Sequence, residues 1–116
     1  MTQYLKIEVM NANVTNGDVA YSDSFTLKDS RFFSLEWENA GAYQFDAELQ
    51  MLGSDEVTWI AATSGSALLT NQTSQRGFVD MAPPYSRNKF RIKITNDDAS
   101  TRRMKLWGHM NASGRV

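Results

Sequence analysis

The 116-residue sequence contains no cysteine and a single histidine, His109. The absence of cysteine excludes disulfide bonds, thiolate metal sites and a cysteine nucleophile. A serine-histidine-aspartate triad could form only around His109, and the chain has no Gly-x-Ser-x-Gly turn to position a nucleophile. We therefore interpret His109 as an edge or surface histidine and expect no catalytic residues.

The acidic residues lack the spacing of a metal site. Those in predicted turns are Asp29, Asp55, Glu56, Asp97 and Asp98. They match neither an EF-hand loop nor a His-Glu-x-x-His motif. Glu36, Asp46 and Glu48 could supply the two carboxylates of a glycosidase, but the solvated faces of strands explain them more simply. We expect no metal, no cofactor and no enzymatic activity.

Strong charge of one sign and long hydrophobic runs are also missing. The chain has 12 basic and 13 acidic residues, so no overall field attracts nucleic acid or an anionic membrane. No apolar run is long enough to cross a bilayer. Residues 1–9 alternate like a strand and lack the layout of a signal peptide. We expect neither nucleic acid nor membrane as a partner, and a protein that acts where it is made or leaves by assembly or lysis.

The clearest pattern in the chain is the alternation of apolar and polar residues over 89–96. Phe90, Ile92 and Ile94 share one face, and Arg91 and Lys93 lie on the other. This period of two predicts a central strand of an antiparallel sheet with one wet face.

Segments 33–38 and 43–51 alternate in the same way, and a break at 39–42 between them predicts a hairpin. A last strand places Met104 and Leu106 opposite Trp107 and His109. Weaker patterns predict strands at 4–9, 19–27, 57–62 and 77–81, a turn or loop at 11–18, and a long loop at 63–76 that contains a short strand. Helical apolar spacing is absent. The chain should be one all-β domain, 1–116, an antiparallel β-sandwich of the jelly-roll or discoidin-like type with eight to nine short strands.

Aromatic residues could stack against a sugar; the candidates are Trp37, Trp59, Trp107, Tyr43 and Tyr85. Trp37 and Trp59 fit the core faces of their strands. Trp107 falls on a polar face, where we expect exposure or a subunit contact. The last strand and the strand at 89–96 are basic enough to meet a phosphate or an acidic partner surface, and the residues concerned are Arg102, Arg103, Lys105, Arg87, Lys89, Arg91 and Lys93. A solvated strand pair balanced by Glu36, Glu38 and Asp46 is the simpler alternative.

The order of these segments resembles small β-sandwich proteins encoded among the virion genes of tailed bacteriophages, and more distantly discoidin-like and carbohydrate-binding sandwiches. The resemblance is carried by 33–37 (FSLEW), 43–49 (YQFDAEL), 57–60 (VTWI), 83–85 (PPY), 90–96 (FRIKITN) and 104–107 (MKLW). It implies a structural role on the particle, as a capsid decoration protein, head fibre, or tail or neck accessory, assembled in the host cytoplasm.

Two functions therefore stay open. A capsid decoration protein would bind capsid or other virion proteins and form a homo-oligomer. A carbohydrate-binding module would instead hold a glycan, through Trp107 or Tyr85. The interaction surfaces predicted for the first function are the first strand and following loop around Tyr4 and Val14, the loop 63–76, and the last strand with Arg102, Arg103 and Trp107.

Overall fold

A computed structural model describes residues 3–15, 17–26, 33–39, 44–61, 68–72, 75–81, 89–97 and 100–112. They form strands and turns, and none of these residues is helical. The strands are β1 (Gln3–Val14), β2 (Val19–Tyr21), β3 (Phe25–Thr26), β4 (Phe33–Asn39), β5 (Phe45–Leu52), β6 (Trp59–Ala61), β7 (Leu68–Gln72), β8 (Arg76–Met81), β9 (Lys89–Asn96) and β10 (Arg102–Ala112). The described ranges therefore contain no helix that could cross a membrane.

The strands build two antiparallel sheets. The first sheet has the order β1-β10-β4-β8, and the second has the order β2-β9-β5-β6, with β3 also paired to β9 and β7 to β5. Phe33 of the first sheet stacks on Phe25 of the second, with ring centroids 5.0 Å apart. The apolar faces of the two sheets therefore enclose one core, and the prediction of an all-β antiparallel sandwich is confirmed.

Strand β9 lies inside the second sheet, as its alternation predicts. Phe90, Ile92 and Ile94 are completely buried, while Arg91 and Lys93 lie half-buried on the outer face. The alternation predicts the orientation of β9 correctly because this strand is paired on both sides and has one face on the core. β10 also follows its prediction, with Met104 and Leu106 in the core and Trp107 and His109 on the outer face.

The predicted hairpin between the segments of β4 and β5 is wrong. β4 pairs with β10 and β8 in the first sheet, whereas β5 pairs with β9, β6 and β7 in the second. The two strands face each other across the core, where the rings of Trp37 and Phe45 make a T-shaped contact with centroids 5.7 Å apart. Alternation reports only that one face of a strand is buried, so strands of opposite sheets look the same as hydrogen-bonded neighbours.

Strand β1 is longer than predicted because of a β-bulge. The register with β10 shifts between Glu8 and Met10, and both Val9 and Met10 are buried. The extra residue changes which positions face the core, so the alternation breaks after Val9 although the pairing with β10 continues to Val14. Gly17, in the turn that follows, has a positive φ of 71°, a conformation that glycine adopts without steric cost.

The turn between β5 and β6 is organised by Asp55. Its Oδ1 accepts hydrogen bonds from the backbone N–H groups of Val57 and Thr58, at 3.0 and 2.9 Å, and its Oδ2 accepts one from Thr58 Oγ1 at 2.6 Å. The bond from the Thr58 hydroxyl and then the two backbone bonds lower the Asp55 pKa to about 2. Asp55 therefore serves the turn, as its sequence context indicates.

Candidate functional site

The outer face of the second sheet brings two aromatic rings next to two of its cations. Its central strands contribute Glu48 and Gln50 from β5 and Arg91 and Lys93 from β9, and its edges contribute Tyr21 from β2 and Trp59 from β6. The register brings these side chains together, since Tyr21 is opposite Lys93, Gln50 is opposite Arg91, and Trp59 is opposite Leu52, two residues beyond Gln50. We call the six residues the Arg91 face.

Arg91 lies between the two rings. Its guanidinium carbon is 3.9 Å from the ring centroid of Tyr21 and 4.5 Å from that of Trp59. In the sheet order, β2 is on one side of β9 and β6 is on the other, so the rings approach Arg91 from opposite sides. Each such cation–π contact contributes about 0.5–1 kcal/mol at an exposed site, and together they hold the guanidinium in place.

A chain of hydrogen bonds from β5 also holds the Arg91 side chain. Arg91 Nε donates to Gln50 Oε1 at 2.7 Å, and Gln50 Nε2 donates to Glu48 Oε2 at 2.8 Å. Gln50 is buried, with 8% of its surface exposed. In the part of the chain that the structure describes, neither Arg91 nor Lys93 forms an ion pair with a carboxylate. Among the described residues, the positive charge of Arg91 and Lys93 is therefore not neutralised by an ion pair.

The outer face of the first sheet differs, because two of its carboxylates form ion pairs with Arg76 and Lys105. Glu36, buried with 7% exposed, contacts His109 Nε2 at 2.7 Å and Arg76 Nη1 at 3.6 Å. Glu38 pairs with Arg76 and, at 3.9 Å, with Lys105. Of the basic residues of β10, Lys105 thus has a neighbouring carboxylate, as the simpler interpretation of this strand expects.

The contact between His109 and Glu36 is made through Nε2, which differs from the arrangement in a serine triad. In a serine triad the histidine Nε2 receives the proton of the nucleophile, but here Nε2 faces the Glu36 carboxylate. Phe78 also packs on the imidazole, with ring centroids 5.0 Å apart. Ser34 is opposite His109 in the register, on a flat strand pair. Among the described residues, no group of three or more histidine or acidic side chains is placed to hold a metal ion.

The sequence-predicted interaction residues do not converge on one site. Val14 has only 2% of its surface exposed and belongs to the core, so its prediction as an interaction residue is wrong. After the bulge in β1, Val14 lies on the same side of the strand as Met10, which faces the core, and this explains the burial of Val14. Arg102 is half-buried, and exposed Arg103 lines a shallow pocket of about 290 Å³ with Lys105 and Glu38. Trp107 is half-buried under Lys6, whose Nζ is 5.5 Å from the ring centroid.

Two of the predicted residues are not placed in full. Tyr4 is in β1 opposite Asn111, but its side chain is outside the described part of the structure. Tyr85 lies outside the described residues altogether.

Sequence reasoning missed the Arg91 face as a unit. The alternation of β9 predicts the correct face for Arg91. Tyr21, however, lies in a weakly patterned segment, and the prediction that Trp59 belongs to the core is wrong. β6 is an edge strand of three residues, and Trp59 is in register with Leu52 on the outer side. A strand this short gives no alternation from which its inward face could be determined.

No protein-family model and no curated protein sequence matches the chain. Solved structures do share its fold. PirA is similar with a TM-score of 0.54 and 18% identity, over 93% of each chain. FlhE is similar with a TM-score of 0.55 and 10% identity, over 97% of this chain and 98% of FlhE. A mutant of the family 29 carbohydrate-binding module CBM29-2 is similar with a TM-score of 0.51 and 8% identity, over 95% of this chain and 86% of the module. At such identities the likeness shows the β-sandwich fold.

Proposed function

We propose that the chain is a non-enzymatic structural protein of a bacteriophage virion, most specifically a capsid decoration protein. The observation that carries this proposal is the exposure of large apolar side chains on edge strands. Phe78, on β8 at the edge of the first sheet, has 60% of its surface exposed, and Ile60, on β6 at the edge of the second, has 51%. An edge strand offers unpaired backbone groups, and an exposed apolar side chain beside them provides area for a protein partner.

The β8 edge is the better contact surface of the two. Among the described residues β8 pairs with β4 alone, so its other side offers backbone groups that a strand of another chain could pair with. The ring of Phe78 packs against the imidazole of His109, with ring centroids 5.0 Å apart. A decoration protein binds a repeating lattice many times, and self-association multiplies contacts that are individually modest. The partners are thus capsid proteins and further copies of this chain.

The charge pattern of the first sheet is consistent with a role that involves no catalysis. The Glu36 carboxylate contacts His109 Nε2 at 2.7 Å on a strand pair that Phe78 partly covers. A nucleophile, a base and an orienting group aligned toward a substrate pocket are what a hydrolase requires. We infer that the Glu36–His109 pair stabilises the sheet beneath the β8 edge.

The experiment mixes purified protein with capsids of the parent bacteriophage that lack it and measures co-sedimentation and heat resistance of the particle. Phe78→Ser should reduce binding, because it removes the exposed ring at the β8 edge. Val57→Ser is the matched control, since Val57 is 77% exposed in the turn before β6, on the other sheet. A wild-type protein that stays in the supernatant at micromolar concentration contradicts the decoration role.

A second function, carbohydrate binding, is favoured by the Arg91 face. Tyr21 has 48% of its surface exposed beside an arginine that both flanking rings hold in place. Sugar-binding proteins use exposed aromatic rings to pack the apolar face of a pyranose, with polar groups beside them to fix its orientation. Retention of the protein on a glycan array, lost in Tyr21→Ala, together with failure to bind capsids, would replace the decoration role by this one.

A further inference from the structure

We propose that the Arg91 face binds a carboxylated saccharide, with the two terminal nitrogens of Arg91 holding the carboxylate of the sugar. This proposal rests on the second function above, carbohydrate binding, and names the class of its ligand.

The hydrogen-bonding state of Arg91 is the first step of the argument. A guanidinium has five N–H donors in a planar fork, and Gln50 takes the one on Nε. The described part of the chain provides no acceptor for the four donors on Nη1 and Nη2. The free end of the fork matches the spacing of two carboxylate oxygens, which it can bind in a bidentate manner.

Pre-organisation is the second step. An exposed arginine normally loses side-chain freedom when it binds a ligand, and this loss weakens binding. Here Tyr21, Trp59 and Gln50 already restrict the guanidinium from three directions. Binding an anion therefore orders little that is not already ordered.

The charge of the surroundings is the third step. Lys93 lies two residues from Arg91 on the same face and has no ion-pair partner among the described residues. Glu48 stands opposite Lys93 in the register, but its Oε2 accepts a hydrogen bond from Gln50. The same outer face also carries Lys89 of β9 and Asp46 of β5, so the three cations of these two strands exceed their two carboxylates and favour an anionic ligand over a neutral one.

The aromatic residues identify the rest of the ligand. Tyr21 is half-exposed next to the carboxylate position, where it offers ring surface to a flat apolar group. A sugar acid combines such a group, the C–H face of the pyranose, with a carboxylate at its rim. An acidic peptide has the carboxylate on a flexible stem without the flat face, so the ring contact favours the saccharide.

The test is isothermal titration calorimetry of the full chain with trigalacturonic acid, its neutral methyl ester and a glutamate oligopeptide. We expect the acid to bind about tenfold more tightly than the ester, because the ester removes the charge that Arg91 recognises. Arg91→Gln should remove this preference, whereas Arg103→Gln, which changes an exposed arginine of the other sheet, should keep it. Thermal unfolding of each variant checks that it is folded.

The outcomes separate the ligand class from the function. Equal binding of acid and ester overturns the carboxylate proposal and leaves carbohydrate binding standing. Binding of neither, with no retention on a glycan array, overturns both. A glutamate peptide that binds as tightly as the sugar acid overturns the saccharide class. If Arg91→Gln is unfolded, Lys93→Gln and Tyr21→Ala replace it. Lys93→Gln should weaken binding of the acid alone, and Tyr21→Ala should weaken binding of the acid and the ester alike. Unchanged affinity in both variants contradicts the proposal.

Discussion

Replacement of Ile92 by alanine tests the assignment of β9 as the central strand of the second sheet. Ile92 is completely buried, and its backbone N–H donates to Ser22 Oγ at 2.8 Å while its C=O accepts from the Ser22 N–H at 2.9 Å. Alanine keeps both backbone bonds, so the change removes side-chain packing alone. Truncation of a fully buried isoleucine costs about 2–5 kcal/mol, from lost burial and the cavity left behind.

The control is Lys93→Ala, one residue along the same strand on the outer face. Lys93 is half-buried and unpaired in the described part of the chain, so its loss should cost less than about 0.5 kcal/mol. Urea unfolding measures both variants, and the Ile92→Ala midpoint should fall by about 1–2 M with an unchanged slope. Similar midpoint shifts in the two variants would refute the orientation of β9 and, with it, the position of Arg91 and Lys93.

Two further predictions concern the packing of β8 and the Asp55 turn. A Cβ on Gly77 would overlap three atoms of the Trp37 indole ring. Gly77→Ala should therefore destabilise the fold by about 1–3 kcal/mol. The double variant Gly77→Ala/Trp37→Phe should recover part of this loss of stability. The Asp55 pKa is depressed to about 2 in the folded state, so this carboxylate stabilises the fold above its ordinary pKa of 3.8, and the stabilisation is lost as the pH falls toward 2. Asp55→Asn should therefore unfold at lower urea than the wild type near neutral pH, and the difference should shrink below a pH of about 3; a difference independent of pH contradicts the role of the charge.

The elements that the sequence predicts well are those with one face in the core over several residues. β9 and β10 show unbroken alternation, and both have the predicted orientation. Alternation cannot tell which strand lies beside another, which is why β4 and β5 were paired although they belong to different sheets. A bulge also interrupts the alternation. In β1 two consecutive residues, Val9 and Met10, are both buried, so the inward positions shift by one residue.

The Arg91 face could not be predicted for a different reason. Its residues come from four strands of widely separated sequence, and two of these strands are only three residues long. The contact between Arg91 and its two rings depends on sheet order, β2-β9-β5-β6, and sheet order is not encoded in local periodicity. The sequence does contain one useful signal, since a charged residue between two buried ones must point outward, and Arg91 does.

The two proposed binding surfaces belong to different sheets, and this separation makes them independently testable. Phe78 is on the edge strand β8 of the first sheet, and Arg91 lies on the outer face of the second. Substitutions at distant sites without shared partners have additive effects. Phe78→Ser should consequently leave sugar-acid binding unchanged, and Arg91→Gln should leave co-sedimentation with capsids unchanged. If one protein shows both activities, the β8 edge would hold it on the particle while the Arg91 face meets the sugar. Loss of both activities in either single variant would mean that the two surfaces form one interface.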